Sequence, residues 1–209
     1  MIRKRVRDAL IITAGLAGLQ TASVSVAQDN FGSSTETAGS SPVGTEYAGS
    51  LQGTPYTYLI SPSGHVLNGT IDGPENAPGL AIDDPDRWVI VANRDRMTDQ
   101  VQWSIRHYQT GLMLSVNSAG RITSVCVIGS NFPGRSGMLR VGNNSAIAVP
   151  NDCNSRVGAT LQAQLLQGGP LLVRRYEWPY DYGQDKEGIA DNFDKAVELF
   201  RWLAARPGG

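Results

Sequence analysis

The sequence predicts a mainly β, α+β domain, in which an antiparallel, sandwich-like sheet body is closed by a C-terminal amphipathic helix. Three observations predict it. From residue 55 onward, apolar runs of strand length recur between turns rich in Gly, Pro and Asn. These runs do not alternate regularly with long helical patterns, as βαβ units would. One long stripe at helical spacing lies near the C-terminus.

The N-terminal 27 residues read as a signal peptide. Arg3, Lys4, Arg5 and Arg7 precede an apolar run over 9–19, and Ser25 and Ala27 supply the small-x-small exit of a cleavage site after Ala27. The apolar run is about 11 residues, against the roughly 20 needed to span a bilayer, so no transmembrane anchor is expected after cleavage. The expected location is periplasmic or secreted. The leader holds four of the 18 basic and one of the 19 acidic residues. The mature chain keeps 14 against 18, a net −4. Such a balance argues against a nucleic-acid partner, which calls for a basic surplus.

Residues 28–54 read as a flexible, low-complexity linker. Gly, Ser, Thr and Pro fill 15 of the 23 positions over 32–54, and Tyr47 is the only aromatic there. That composition buries too little apolar surface to offset its ordering entropy. A single β-rich domain is then expected over 55–206.

Within it, the runs 56–60 and 65–71 flank Ser61, Pro62, Ser63 and Gly64, which fit a type I turn and predict a hairpin. Residues 72–86 hold Pro74, Pro78 and Pro85 and predict an irregular connection. Strands follow over 87–92, 101–108, 112–116, 122–128 and 138–141, separated by Thr110-Gly111, Ala119-Gly120 and the turn 131–134. A short helix is predicted over 159–167, ended by Gly168 and Gly169. A longer one is predicted over 189–205, with Ile189, Phe193, Val197, Phe200 and Leu203 on one face and Asp191 as its cap. Pro207 and Gly208 would end it, and its stripe would cover one face of the sheet.

The two cysteines, Cys126 and Cys153, predict a disulfide in an exported chain. They cannot form a multi-ligand metal framework with only two histidines, so no metal and no cofactor is expected. The chain lacks a Gly-x-Ser-x-Gly elbow, a His-Glu-x-x-His zinc motif and a phosphate-cradling loop. His65 and His107 read as ordinary polar or half-buried residues. Asp83, Asp84 and Asp86 read as solvated acids rather than a calcium loop. A catalytic residue is therefore not assigned.

The most unusual segment is 174–188, where Tyr176, Trp178, Tyr180 and Tyr182 recur at every second residue, with Glu177 and Asp181 between them. Packed beneath the C-terminal helix, these rings would line the edge of the core. Turned outward, they would suit a sugar or a protein partner. Two carboxylates beside aromatics also admit glycoside hydrolysis. The leading expectation is a non-enzymatic, exported envelope or periplasmic protein with a role in host or envelope interaction. The alternative is a carbohydrate-binding or glycan-active protein using 176–182. The expected partner is a protein or a glycan.

From Trp88 onward the layout resembles the invasion-associated locus B family of exported bacterial proteins. The resemblance covers roughly 87–203. It rests on Trp88 opening a strand with Val89, Ile90 and Val91, on the run 111–116, on Cys153 ahead of the run 158–166, and on a closing helix with Phe193 and Ala196. Members of that family carry two further cysteines, and Ala92 and Trp103 stand at those positions here. The resemblance implies a small β-rich domain, periplasmic or surface placement and a link to host-cell invasion. It supplies no catalytic residues.

Overall fold

A computed structural model describes residues 37–41, 43–73, 84–151 and 153–206. The predicted signal peptide, residues 28–36 of the predicted linker, residues 74–83 of the predicted connection and the helix stop at Pro207 and Gly208 lie outside the described residues.

Eight strands follow one another in chain order: β1 (Thr37–Ser41), β2 (Gly44–Leu51), β3 (Thr54–Ile60), β4 (Val66–Ile71), β5 (Trp88–Arg94), β6 (Val101–His107), β7 (Leu112–Val116) and β8 (Ile122–Val127). Each pairs antiparallel with the next, giving an eight-stranded meander. A second sheet is built from β9 (Gly137–Val141), β10 (Ile147–Val149), β11 (Pro170–Arg175) and β12 (Gln184–Ile189), in the order β10-β9-β11-β12. It touches the large sheet through contacts of β8 with β10 and β11. The helices are α1 (Gly158–Leu165), which packs on β8, and α2 (Phe193–Ala204), which packs on β4, β5 and β6. The expected antiparallel β body with a closing C-terminal helix is what the chain forms.

Period-two alternation explains the large sheet. In β7, Leu112, Leu114 and Val116 are buried while Met113 and Ser115 are not. Ile90 faces Ile105, and Ile105 faces Leu114, so one apolar row crosses three strands. The α2 stripe closes over this face with Phe193, Ala196, Val197, Leu199, Phe200 and Leu203 buried. Each large apolar side chain buried this way contributes about 1.5–3 kcal/mol of transfer free energy. The helix approaches β4 closely at Gly69, where a β-carbon would stand 2.7 Å from Leu203 Cδ1. A larger residue there would require the Leu203 side chain to shift.

The predicted hairpin turn is present, with Gly64 N–H donating to Ser61 O at 2.9 Å. The expected linker is corrected for residues 37–41 and 43–54. β2 pairs with β3 along its whole length, from Thr45 opposite Ile60 to Leu51 opposite Thr54. Gln52 and Gly53, with φ of 50° and 81°, make the two-residue turn that joins them. Tyr47 stacks on Tyr58 at 4.8 Å with 9° between the rings, and Leu51 is wholly buried. Backbone ladder bonds and two well-placed side chains order a stretch whose composition looked too polar to fold.

The start of the long helix is corrected as well. Ile189 ends β12, and α2 begins at Phe193, because Asn192 takes a left-handed φ of 61°. Asp191 does not cap the helix. Its Oδ1 instead accepts the Gly169 N–H at 2.6 Å, and Asn192 Nδ2 donates to Asp72 O at 2.9 Å. Besides β1 and β2, three strands of the smaller sheet, β10, β11 and β12, lie outside the strands the sequence predicts. β12 reads QDKEGI and is an edge strand, where charged side chains guard the unpaired backbone.

Candidate functional site

Cys126 in β8 and Cys153 in the segment between β10 and α1 are joined in a disulfide, with their Cα atoms 4.4 Å apart. Beside it, Val125 and Asn154 exchange backbone hydrogen bonds at 2.8 and 3.0 Å. The bridge thus seats the 153–154 segment against the outer edge of β8.

The histidines occupy structural positions. His107 is buried, and burial holds its imidazole below the usual histidine range. Its Nε2 lies 3.1 Å from Ile189 O, and its Nδ1 lies 3.1 Å from Thr110 Oγ1. A neutral ring that donates from Nε2 and accepts at Nδ1 satisfies both contacts. His65 Nδ1 lies 3.3 Å from Arg94 Nη2. Asp84 accepts the N–H groups of Gly73 and Asp86, and Asp86 Oδ1 accepts the Ile189 N–H at 2.9 Å. These acids therefore tie β-strand ends and loops together. Among the described residues, no group of three His, Cys, Asp or Glu side chains is placed to hold a metal ion.

Asp72 differs. It is wholly buried and neither of its carboxylate oxygens accepts a hydrogen bond. Burial, and then the neighbouring Asp84 charge, push its carboxyl up to about 6, with Arg87 acting in the opposite sense.

The aromatic segment forms the loop between β11 and β12, at the tip of a hairpin in the smaller sheet. It does not lie beneath the C-terminal helix, which packs on the large sheet. The core-packing alternative is thereby corrected: Trp178, Tyr180 and Tyr182 are 61, 52 and 59% exposed. Nor do the rings share one face of an extended strand. Tyr180 N–H donates to Glu177 O at 2.7 Å, closing a turn around the cis Trp178–Pro179 peptide.

A second loop, between β8 and β9, holds this one in place. Tyr176 O accepts the N–H groups of Asn131 and Phe132 at 2.9 and 3.0 Å. Asn131 Oδ1 accepts the Trp178 N–H at 2.7 Å. Phe132 and Trp178 then meet with ring centroids 5.4 Å apart, and Tyr180 meets Tyr182 at 5.7 Å. Arg135 sits over the half-buried Tyr176 ring at 5.3 Å and pairs with Asp181 at 2.6 Å. Sequence reasoning found the four rings of 176–182 but missed Phe132 and Arg135. The available signal was a phenylalanine inside the turn 131–134, where an apolar ring has no core to enter.

The two acids considered for catalysis are both held by arginine. Glu177 lies 3.4 Å from Arg175, and Asp181 is partnered by Arg135. A separate depression of about 670 Å³ lies among Arg94, Trp103, Asn117 and Ala204, and none of the sequence-predicted site residues lines it.

Comparison with protein-family models, curated proteins and solved structures returned no match to this chain.

Proposed function

We propose that this protein is an exported, non-enzymatic binding protein of the bacterial envelope or periplasm, and that the 176–182 loop is its contact surface. The observation that carries this reading is the exposure of Trp178, Tyr180 and Tyr182 on a loop fixed by hydrogen bonds to its neighbour. Large rings left in water on a rigid support are what a binding surface requires. The predicted leader and the Cys126–Cys153 bridge support an oxidising compartment outside the cytoplasm. No described helix is long and apolar enough to cross a membrane. Pairing with Arg175 at 3.4 Å and with Arg135 at 2.6 Å gives Glu177 and Asp181 a structural role in holding the loop. The resemblance to the invasion-associated locus B family belongs to the same proposal, with the buried Trp88 and the closing helix α2 in its favour.

Co-sedimentation of the mature chain with isolated envelopes tests the reading. Trp178→Ala should release the protein at least tenfold more readily while its melting temperature stays within a few degrees. Equal sedimentation of the two proteins would refute it.

A further inference from the structure

We infer that the 176–182 loop takes a neutral carbohydrate chain. This rests on the reading of the loop as the contact surface and names its ligand. The first ground is charge. Three arginines and three carboxylates surround the rings, and they are matched one to one: Arg135 with Asp181 at 2.6 Å, Arg174 with Asp185 at 2.6 Å, and Arg175 with Glu177 at 3.4 Å. The Arg174 pair is bidentate, with a second bond of 2.7 Å. Its hydrogen bond holds the Asp185 carboxyl below the usual carboxylate range. The three pairs cancel, so this cluster offers no surplus charge of either sign to attract an ionic ligand. A ligand without charge leaves all three pairs in place.

The second ground is the chemistry of the exposed groups. A pyranose presents an axial C–H face that stacks on an aromatic ring, with hydroxyls around its rim. Trp178, Tyr180 and Tyr182 supply ring faces, and the tyrosines supply hydroxyls. Paired carboxylates and guanidinium groups still have lone pairs and N–H groups for sugar hydroxyls, and such hydrogen bonds are stronger than neutral ones.

Preorganisation is the third ground. The Trp178 backbone is fixed by Asn131, the Tyr176 carbonyl by two N–H groups, and Tyr180 by Glu177. Little ordering entropy is then lost on binding. The Phe132–Trp178 pair is tilted by 48° and the Tyr180–Tyr182 pair by 50°. A stepped surface of this kind suits a single soluble chain better than the flat face of a crystalline polymer.

The test is a glycan array probed with the mature chain, carrying neutral hexose and N-acetylhexosamine chains beside sialylated and sulfated ones. A bound oligosaccharide is then titrated by tryptophan fluorescence. Retention on neutral chains is expected, with Trp178→Ala weakening the affinity at least tenfold and Tyr182→Ala several-fold. Thermal melts establish that each variant folds, and Tyr182→Ala carries the comparison if Trp178→Ala does not. Failure to bind any neutral chain, a preference for acidic chains, or equal affinity of the folded variants would overturn the inference. The envelope assay separates the two proposals. Trp178-dependent sedimentation without neutral-glycan binding removes the carbohydrate and leaves the contact surface, whereas loss of both results removes both.

Discussion

The indole N–H of Trp88 donates to the backbone carbonyl of Asp191 at 2.9 Å, across 103 positions of sequence. The same ring meets His107 edge-on at 4.9 Å and Phe193 at 5.0 Å. One side chain therefore joins β5, β6 and the entry to α2. Phenylalanine would fill part of the space but leave the Asp191 carbonyl without its donor. Trp88→Phe is expected to cost about 2–4 kcal/mol, combining lost packing with an unmet acceptor. Urea unfolding measures it, and a loss below about 0.5 kcal/mol would show that the junction is held by other contacts.

Asp72 makes stability depend on pH in a direction opposite to that of most carboxylates. Its carboxyl titrates near 6 in the folded protein, above its ordinary value of 3.8. The native state therefore holds the proton more tightly than the unfolded chain. Above about pH 6 the group is ionised without a hydrogen-bond donor, and the full penalty is present. As pH falls through 6 towards 4 the penalty is relieved. Asp72→Asn should stabilise the protein at pH 7.5 by roughly 1–2 kcal/mol, less than the whole shift would give because the amide is itself a buried polar group without a hydrogen-bond partner. The gain should vanish near pH 4. A stabilisation that does not change with pH would assign it to packing instead.

Reduction of the Cys126–Cys153 bridge removes a cross-link between residues 27 positions apart. The chain-entropy relation puts its contribution at about 3–4 kcal/mol. Thermal unfolding with and without reductant should show a lower midpoint in the reduced protein. Thiol titration of the unreduced, denatured protein should find no free thiol.

Tyr47 lies in the stretch whose composition suggests a flexible linker, yet it stacks on Tyr58 and pairs across β2 and β3. Tyr47→Ala should destabilise the domain by about 1–2 kcal/mol in chemical denaturation. A true linker would show no change.

The elements legible in the sequence are those that carry their own periodicity. The 3.6-residue stripe from Phe193 to Leu203 and the alternation in β6 and β7 announce both the element and its buried face. β2 was hidden because its Gly, Ser and Thr residues give no apolar signal, although Gln52 and Gly53 offered a two-residue hairpin turn. β12 was hidden because an edge strand carries charge where a central one carries valine. At the candidate site, the alternating aromatics were visible, but their exposure was not. Whether a ring faces core or water depends on which sheet its hairpin joins, and that is set by pairings distant in sequence. Phe132 and Asn131 reach Trp178 from about 46 positions away, beyond any local pattern.

The aromatic loop joins two neighbouring strands of the smaller sheet, whereas the Trp88 junction and the α2 stripe belong to the larger one. Loop residues that share no partner with those core side chains are expected to change independently of them. The loop over 176–183 can then diverge, lengthen or be exchanged between proteins of this architecture without disturbing the core. Ligand preference becomes a variable trait carried on a constant frame, much as one handle accepts many heads.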